Sequence, residues 1–552
     1  MSTTKAKHPK GLPFLFLSEM WERFGYYLMI GIFTLYLKDV KAGFAMTEAE
    51  SADLYGTFIA LVFLTPFLGG LIADRYLGYA KSIIIGGILM GIGYCTMAIH
   101  DLTMLYVSMT LVIVGNGFFK PNISTLLGNI YSTPQFETRK DEGYNIFYMG
   151  INIGAFICNF FGAALYIMLG WEYAFIAAGI GMFIGVLVFI SGLRHYKAFD
   201  VKKGVQDGDM PFSKIIYLIL LPSIVAGVIG WIVPQALLGH PLIGTNSTDA
   251  FIFACIPVVY FYGSLFMQAS KEERRPIAAL LTVFAVVILF WAVFKQNGSA
   301  LNTWADRYTD RHVSTPIAEK AFTSLSLSQT VTYKKDSVAL YDEAFRLQKV
   351  NGQPIKEFNY PLYFRNVTPN QLPSEGTTVE LWATNLSQSI NPGWVIILTP
   401  LVVAFFTWLR KRNQEPSTAT KIMFGMFISA LSVLAMVAAV YAGNNGAEKV
   451  SVLWLMGGYG IITIGELFLS PMGLSLVSKL SPTRITSLMM GGWFLSTSIG
   501  NKLSGVLASM WDTYDHKANF FWVNFALLMV SALIGFALLK WLNTIMKERG
   551  IK

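Results

Sequence analysis

Charge is scarce in this chain of 552 residues: only 14% are Asp, Glu, Lys or Arg, against 54% hydrophobic residues. That balance excludes a soluble globular protein, in which about a quarter of residues are charged. Cysteine is scarcer, with three in all, Cys95, Cys158 and Cys255. Each falls inside an apolar run, so no disulfide framework is implied and ordinary packing explains them. None of the six histidines lies deep in an apolar run, so imidazole chemistry is not expected within one. No GxxxxGKS/T loop is present, which disfavours an ATP-driven device. Nothing resembling a nucleophile or metal cluster accompanies the acidic residues, so neither an enzyme, a metal nor a bound cofactor is expected.

Apolar length is what the chain has instead. Fourteen runs can be read, at 14–37, 54–71, 82–99, 102–127, 144–168, 173–193, 215–233, 251–267, 277–294, 394–409, 422–442, 452–477, 487–510 and 520–542. Most approach the length needed to cross a hydrocarbon core of about 30 Å. The chain therefore reads as an all-α integral membrane protein with fourteen transmembrane helices. Lys and Arg collect in alternate loops, and the short opposite loops hold only Lys38, Lys41, Lys449 and Lys517. By the positive-inside rule both termini are cytoplasmic, and the net charge of +9 reflects topology rather than nucleic-acid binding.

The runs group as six, two and six. Residues 1–195 form an N-terminal six-helix bundle and 196–276 a cytoplasmic linker with a two-helix hairpin. Residues 277–545 form a C-terminal six-helix bundle, interrupted outside the membrane by an insertion at about 298–390, and 546–552 a cytoplasmic tail. Two similar halves suggest a transporter with its site at the midplane between them. In the insertion, TVTYKKDSVAL (331–341) mixes β-branched and polar residues and DEAFRLQKV (342–350) has helical spacing, so partial order is expected.

The first run is the most informative. Glu19, Glu22, Arg23, Tyr26 and Tyr27 fall within an arc of roughly 140° on a helix, so one stripe carries all five. Ionisable groups there cost about 2.5 to 3.5 kcal/mol each, and by default mark an ion or substrate pathway rather than a helix-docking pair. Further along, GGLIADRYLGYAK holds Gly70, Asp74, Arg75 and Gly78, a short connection that an acid and a base can clasp. GNGFFKPNISTLLG contributes Lys120 and Pro121, FYMGINIGAF Tyr148 and Asn152, FWAVFKQNGSAL Trp291, Lys295 and Gln296, and GELFLSPMGLS Glu466.

With EMWERFGYY, these segments resemble, in order and across essentially all runs, the proton-dependent oligopeptide transporter (POT/PTR) family of the major facilitator superfamily. The resemblance implies the major facilitator fold, two six-helix bundles plus the extra hairpin. It also implies a proton-coupled symporter that imports di- and tripeptides by alternating access, driven by the proton gradient with no cofactor and functional as a monomer. The hairpin is similar to that of bacterial members, which implies a bacterial cell membrane.

The residue chemistry runs parallel to the resemblance. A short peptide zwitterion needs a base for its carboxylate, for which Lys120 is suited, and an acid for its ammonium, for which Glu466 is suited. Asn152 and Asn391 carry amide donors and acceptors, Trp291 and Trp493 offer apolar walls, and Tyr26, Tyr27 and Tyr148 offer hydroxyls. Proton coupling is expected from Glu22 and Glu466, with Glu19 secondary and Arg23 and Lys120 tuning them. Lys120 is also expected to be neutralised by, or paired with, Glu466.

Four positions depart from the family pattern. Ile30 stands where many members have an Arg, and Lys295 where they often have an acid, so an outer charge pair is missing. Lys295, counted among the binding residues, is expected to pair with Glu19 or Glu22. Phe63 replaces a Tyr of animal members and removes a hydroxyl from the pocket, as Gly56 replaces a His. The rival readings are a related carrier of another small zwitterion or anion, a membrane enzyme using Glu19 and Glu22, and a non-transporting peptide receptor.

Overall fold

Side-chain caps fix where several helices begin. Thr47 and Glu50 form a reciprocal capping box, and Asp101, Thr245, Ser270 and Ser417 each accept a backbone N–H of the first turn. The computed structural model describes residues 8–136, 139–200, 211–482 and 485–549. Lys5 and Lys7 of the basic N-terminus, positions 201–210 of the linker and the last three residues of the tail lie outside the described residues.

The N-terminal half contains α1 (Leu12–Lys38), α2 (Glu48–Ile72), α3 (Tyr79–Thr96), α4 (Leu102–Tyr131), α5 (Lys140–Met168) and α6 (Trp171–Gly192). The hairpin is α7 (Leu221–Leu238) and α8 (Asn246–Gln268). The C-terminal half contains α9 (Lys271–Phe294), α10 (Ile390–Lys411), α11 (Thr418–Ala442), α12 (Val452–Leu480), α13 (Thr486–Ser509) and α14 (Lys517–Glu548).

Among the described residues, 12 helices are long and apolar enough to cross a membrane. The expected count of fourteen is not reached on that measure, because α1 and α13 are outside the set. α1 carries the charged stripe, and α13 is rich in Ser, Thr and Gly and carries Lys502.

The two halves repeat one packing scheme. In the first, α1 packs on α5 and α6, α3 on α4 and α6, and α2 on α4; in the second, α9 packs on α13 and α14, α11 on α12 and α14, and α10 on α12. Two apolar cores follow, one per half. Between the halves, α2 runs against α13 and α5 against α10. The α2–α13 crossing is backbone on backbone: a Cβ on Gly56 would come within 2.6 Å of the Gly505 Cα. A His at position 56 has no room here, which accounts for that departure.

The insertion is ordered rather than partly so. Three two-stranded antiparallel pairs join Ser328–Thr332 to Thr378–Trp382, Asp336–Ala339 to Lys356–Asn359, and Lys349–Val350 to Gln353–Pro354. The helical spacing of 342–350 misleads. Asp342 accepts the backbone N–H groups of Ala344 and Arg346 and pairs with the Arg346 side chain, while Phe345 takes φ of +64°. Local side-chain bonds thus outcompete the helix there. In the loop after α2, Gly78 adopts φ of +83°, a conformation that favours glycine, and Asp74 accepts the Tyr79 hydroxyl at 2.6 Å.

Candidate functional site

The stripe of α1 faces protein, as its cost requires. Arg23 Nη2 donates to Glu22 Oε1 at 2.6 Å, its Nε reaches the other Glu22 oxygen, and the same Nε lies 3.3 Å from Glu19 Oε1. All three side chains are buried, and the guanidinium stands 5.2 Å from the centre of the Tyr26 ring. One base shared by two acids leaves the group one negative charge in excess when both are ionised. The second oxygen of Glu19 has no hydrogen-bond partner among the described residues.

Lys120 extends from α4, where Pro121 withholds an N–H from the carbonyl of Gly117 and loosens the helix beside it. Its ammonium lies 4.2 Å from the centre of the Phe63 ring on α2. Lys295, in the 3₁₀ turn that follows α9, places its ammonium 5.0 Å from the same ring, 5.8 Å from Trp291 and 5.5 Å from Phe294. Phe63 is thus a platform that cations from both halves share, a role its ring fills without a hydroxyl.

Two pairing expectations are corrected here. Lys295 forms no ion pair with Glu19 or Glu22; the carboxylate that acts on it is Glu466. Lys120 does not pair with Glu466 either: the acids acting on it are Glu22 and Glu19. The physical reason is the side of the gap from which each residue projects: Lys120 shares its half with the stripe, and Lys295 its half with Glu466.

Glu466, on α12, is held by the Asn391 amide, whose Nδ2 donates to Glu466 Oε2 at 3.2 Å and to Thr463 Oγ1 at 2.8 Å. Asn391 is therefore engaged with the acid. Tyr27 lies within electrostatic reach of both Arg23 and Glu466, and Tyr148, 40% exposed, within reach of Glu466. Asn152 donates to the Tyr148 carbonyl at 2.9 Å within its own helix. The buried indole N–H of Trp291 finds no acceptor among the described residues. Trp493 stands apart: its ring packs on Phe284 and over Gly473, all within the C-terminal half.

The halves close on each other at the insertion end. Glu48, 3% exposed, lies 3.0 Å from Lys38 and 3.6 Å from Arg307, and accepts from Thr303 at 2.6 Å; Lys38 also donates to Thr303 at 2.7 Å. Thr34 donates to the Gly298 carbonyl and Asn159 to Ser389, while Gln388 donates to the Asn297 carbonyl within the C-terminal half. Lys502 donates to Asp53 at 2.6 Å, to Thr57 at 2.7 Å and to Ser247 of the hairpin at 2.8 Å. Sequence reasoning missed both carboxylate clusters and the platform role of Phe63. The lone Lys502 amid the polar, small residues of α13 was the available signal, since an intramembrane cation requires a partner.

Comparison with known proteins supplies further findings. The POT family model matches residues 80–326 and 380–523. A di-/tripeptide transporter of Lactococcus lactis subsp. lactis is 27% identical over 554 residues, covering 98% of this chain and 97% of the relative. Dipeptide and tripeptide permease A of Escherichia coli K12 is 29% identical over 519 residues, covering 94% and 87%. Among solved structures, a mutant peptide transporter POT in complex with alafosfalin superposes with a TM-score of 0.74 at 25% identity, and a peptide transporter POT in complex with sulfate with 0.73 at 26%. Each covers 98% of this chain and is itself 96% covered.

Proposed function

Since the chain belongs to the POT family, a family of membrane transporters with the major facilitator fold, we propose that it is a proton-coupled symporter importing di- and tripeptides by alternating access. The observation that carries this reading is the charge layout across the gap between the halves. Lys120 on one side offers a point charge for the peptide carboxylate, and Glu466, oriented by Asn391, offers its partner for the ammonium. Tyr26, Tyr27, Tyr148, Asn152, Trp291 and Lys295 supply the surrounding hydroxyl, amide, apolar and cationic contacts; Trp493 supports the wall from behind.

Protons enter at Glu22 and Glu466, with Glu19 secondary. Protonating an acid of the α1 stripe removes the excess negative charge around Arg23, and protonating Glu466 frees Lys295 from it. In both cases the site turns more positive, which favours the anionic end of a peptide. The gradient is the energy source and no cofactor takes part. The insertion end faces outward, both termini are cytoplasmic and the protein works as a monomer in a bacterial cell membrane. Residues 1–195 and 277–545 rock against each other, with 196–276 and 546–552 outside that motion.

Uptake of a labelled dipeptide by purified protein in liposomes tests the reading. Accumulation above the equilibrium level under an inward proton gradient is expected; binding without gradient-dependent accumulation refutes it.

A further inference from the structure

Two partly buried lysines share one aromatic ring, and neither is in direct contact with an anion among the described residues. Lys120 and Lys295 lie 4.2 Å and 5.0 Å from the centre of Phe63, so their Nζ atoms are no farther apart than the sum of those distances, about 9 Å. Among the described residues neither donates a hydrogen bond or forms an ion pair, although every other charge of the site is engaged: Glu19 and Glu22 with Arg23, and Glu466 with Asn391. Each lysine meets Arg23 as a like charge, and Lys120 meets Lys295 so as well, against the attraction of Glu22 and Glu19 for Lys120 and of Glu466 for Lys295. The acids act on the two lysines from a distance and without a direct ion pair, and a cation–π contact of about 0.5 to 2 kcal/mol does not occupy the donors of an ammonium, so both remain open to a bound anion.

The Phe63 ring brings the two cations, one from each half, to a common place. One ammonium is accounted for by the single carboxylate of a simple peptide. The second is then left over.

Resting on the peptide-transport reading above, we propose that Lys295 selects peptides that carry a second carboxylate, those with an aspartyl or glutamyl side chain. In such a peptide the terminal and side-chain carboxylates are separated on the order of 5 to 8 Å, given a rise of about 3.5 Å per extended residue and bonds near 1.5 Å. That spacing fits two ammonium groups at most about 9 Å apart. Lys120 takes one carboxylate and Lys295 the other, with Phe63 as the floor between them. The peptide ammonium remains with Glu466.

The test measures binding of Ala-Glu against its neutral isostere Ala-Gln, and Glu-Ala against Gln-Ala, to purified full-length protein by calorimetry, with uptake of labelled Ala-Ala in liposomes as a parallel assay. In the unaltered protein the acidic member of at least one pair is expected to bind tenfold or more tightly. Lys295→Gln is expected to bring that ratio to about one, and Lys295→Arg to keep it. Because the ratio is taken within each variant, it does not depend on how much overall affinity survives. Lys295→Met, which keeps the aliphatic stem, carries the same test if the Gln variant is not recovered folded. Equal binding within both pairs, or a preference that persists when the charge at 295 is removed, overturns the proposal. The two readings separate cleanly: neutral Ala-Ala transported without any acidic preference sinks this inference alone, whereas no dipeptide bound or transported sinks the peptide reading beneath it.

Discussion

Removing the charge of Glu48 is expected to unlock the closed end of the protein. The carboxylate, 3% exposed, joins Lys38 and its own α2 to Arg307 and Thr303 of the other half, at 3.0, 3.6 and 2.6 Å. The Lys38 contact lies within one half and survives opening, so only the Arg307 and Thr303 contacts distinguish the closed from the open state. At 3.6 Å and an effective dielectric of about 20, the Glu48–Arg307 attraction is about 4 to 5 kcal/mol before desolvation. Desolvation of the buried groups returns a large part of that. A net bias of about 2 kcal/mol remains, roughly a thirtyfold change in the ratio of closed to open forms.

The assay is a spin-label distance measurement between cysteines placed at the exposed positions Lys41 and Glu448, one from each half, with Cys95, Cys158 and Cys255 replaced. Glu48→Gln is expected to transfer population to a longer distance, and Glu48→Asp to do so less. Distributions identical to those of the unaltered protein refute the reasoning, and leave closure to the other contacts between the halves, those of Lys502 with Asp53, Thr34 with Gly298 and Asn159 with Ser389.

Three further outcomes are expected. Glu466→Gln should abolish gradient-driven uptake while leaving some counterflow exchange, measured in the same vesicles; undiminished driven uptake removes Glu466 from the coupling. Lys502→Met leaves the partly exposed Asp53 without its cation and with only hydroxyl donors and should lower stability by about 2 kcal/mol, read as a fall in thermal midpoint in detergent that Asp53→Asn partly restores. Lys449, outside the helices, donates to the Arg307 carbonyl at 2.8 Å, and burial together with Arg311 pushes its pKa down to about 7. An unfolded lysine holds its proton to about pH 10.4, so the unfolded state binds more protons between those values and stability rises with pH across that window. Lys449→Met should flatten the rise, and an unchanged slope counts against the assignment.

Much of the fold was legible because a bilayer demands long apolar helices, and the halves, the hairpin and the order of the helices all follow from that one constraint. The stripe of α1 was legible for the same reason, since three charges in an apolar run must be accounted for. Pairings were less so. Lys295 was matched to Glu19 or Glu22 by charge balance, yet it forms no ion pair with either, and the acid that acts on it in the fold is Glu466. Glu48, Asp53 and Arg307 sit near helix ends, where charges are ordinary in a sequence, and only the meeting of distant segments makes them a buried network. The order of the insertion was hidden because its strands pair across long loops, as Ser328 does with Trp382.

The hairpin offers a mechanical consequence. At the insertion end Ser247 bonds Asp53 and Lys502, one from each half. Further along, Tyr262 donates to the Leu488 carbonyl of the C-terminal half alone. On the side facing α2 there is an apolar cleft lined by Leu61, Leu64 and Phe67 against Ile224, Trp231 and Val258. The hairpin is therefore a cantilever, clamped where the halves stay together and carried by only one of them elsewhere. When the opposite end swings open, it rides with the C-terminal half and slides over a greased face, so the stroke breaks none of these hydrogen bonds.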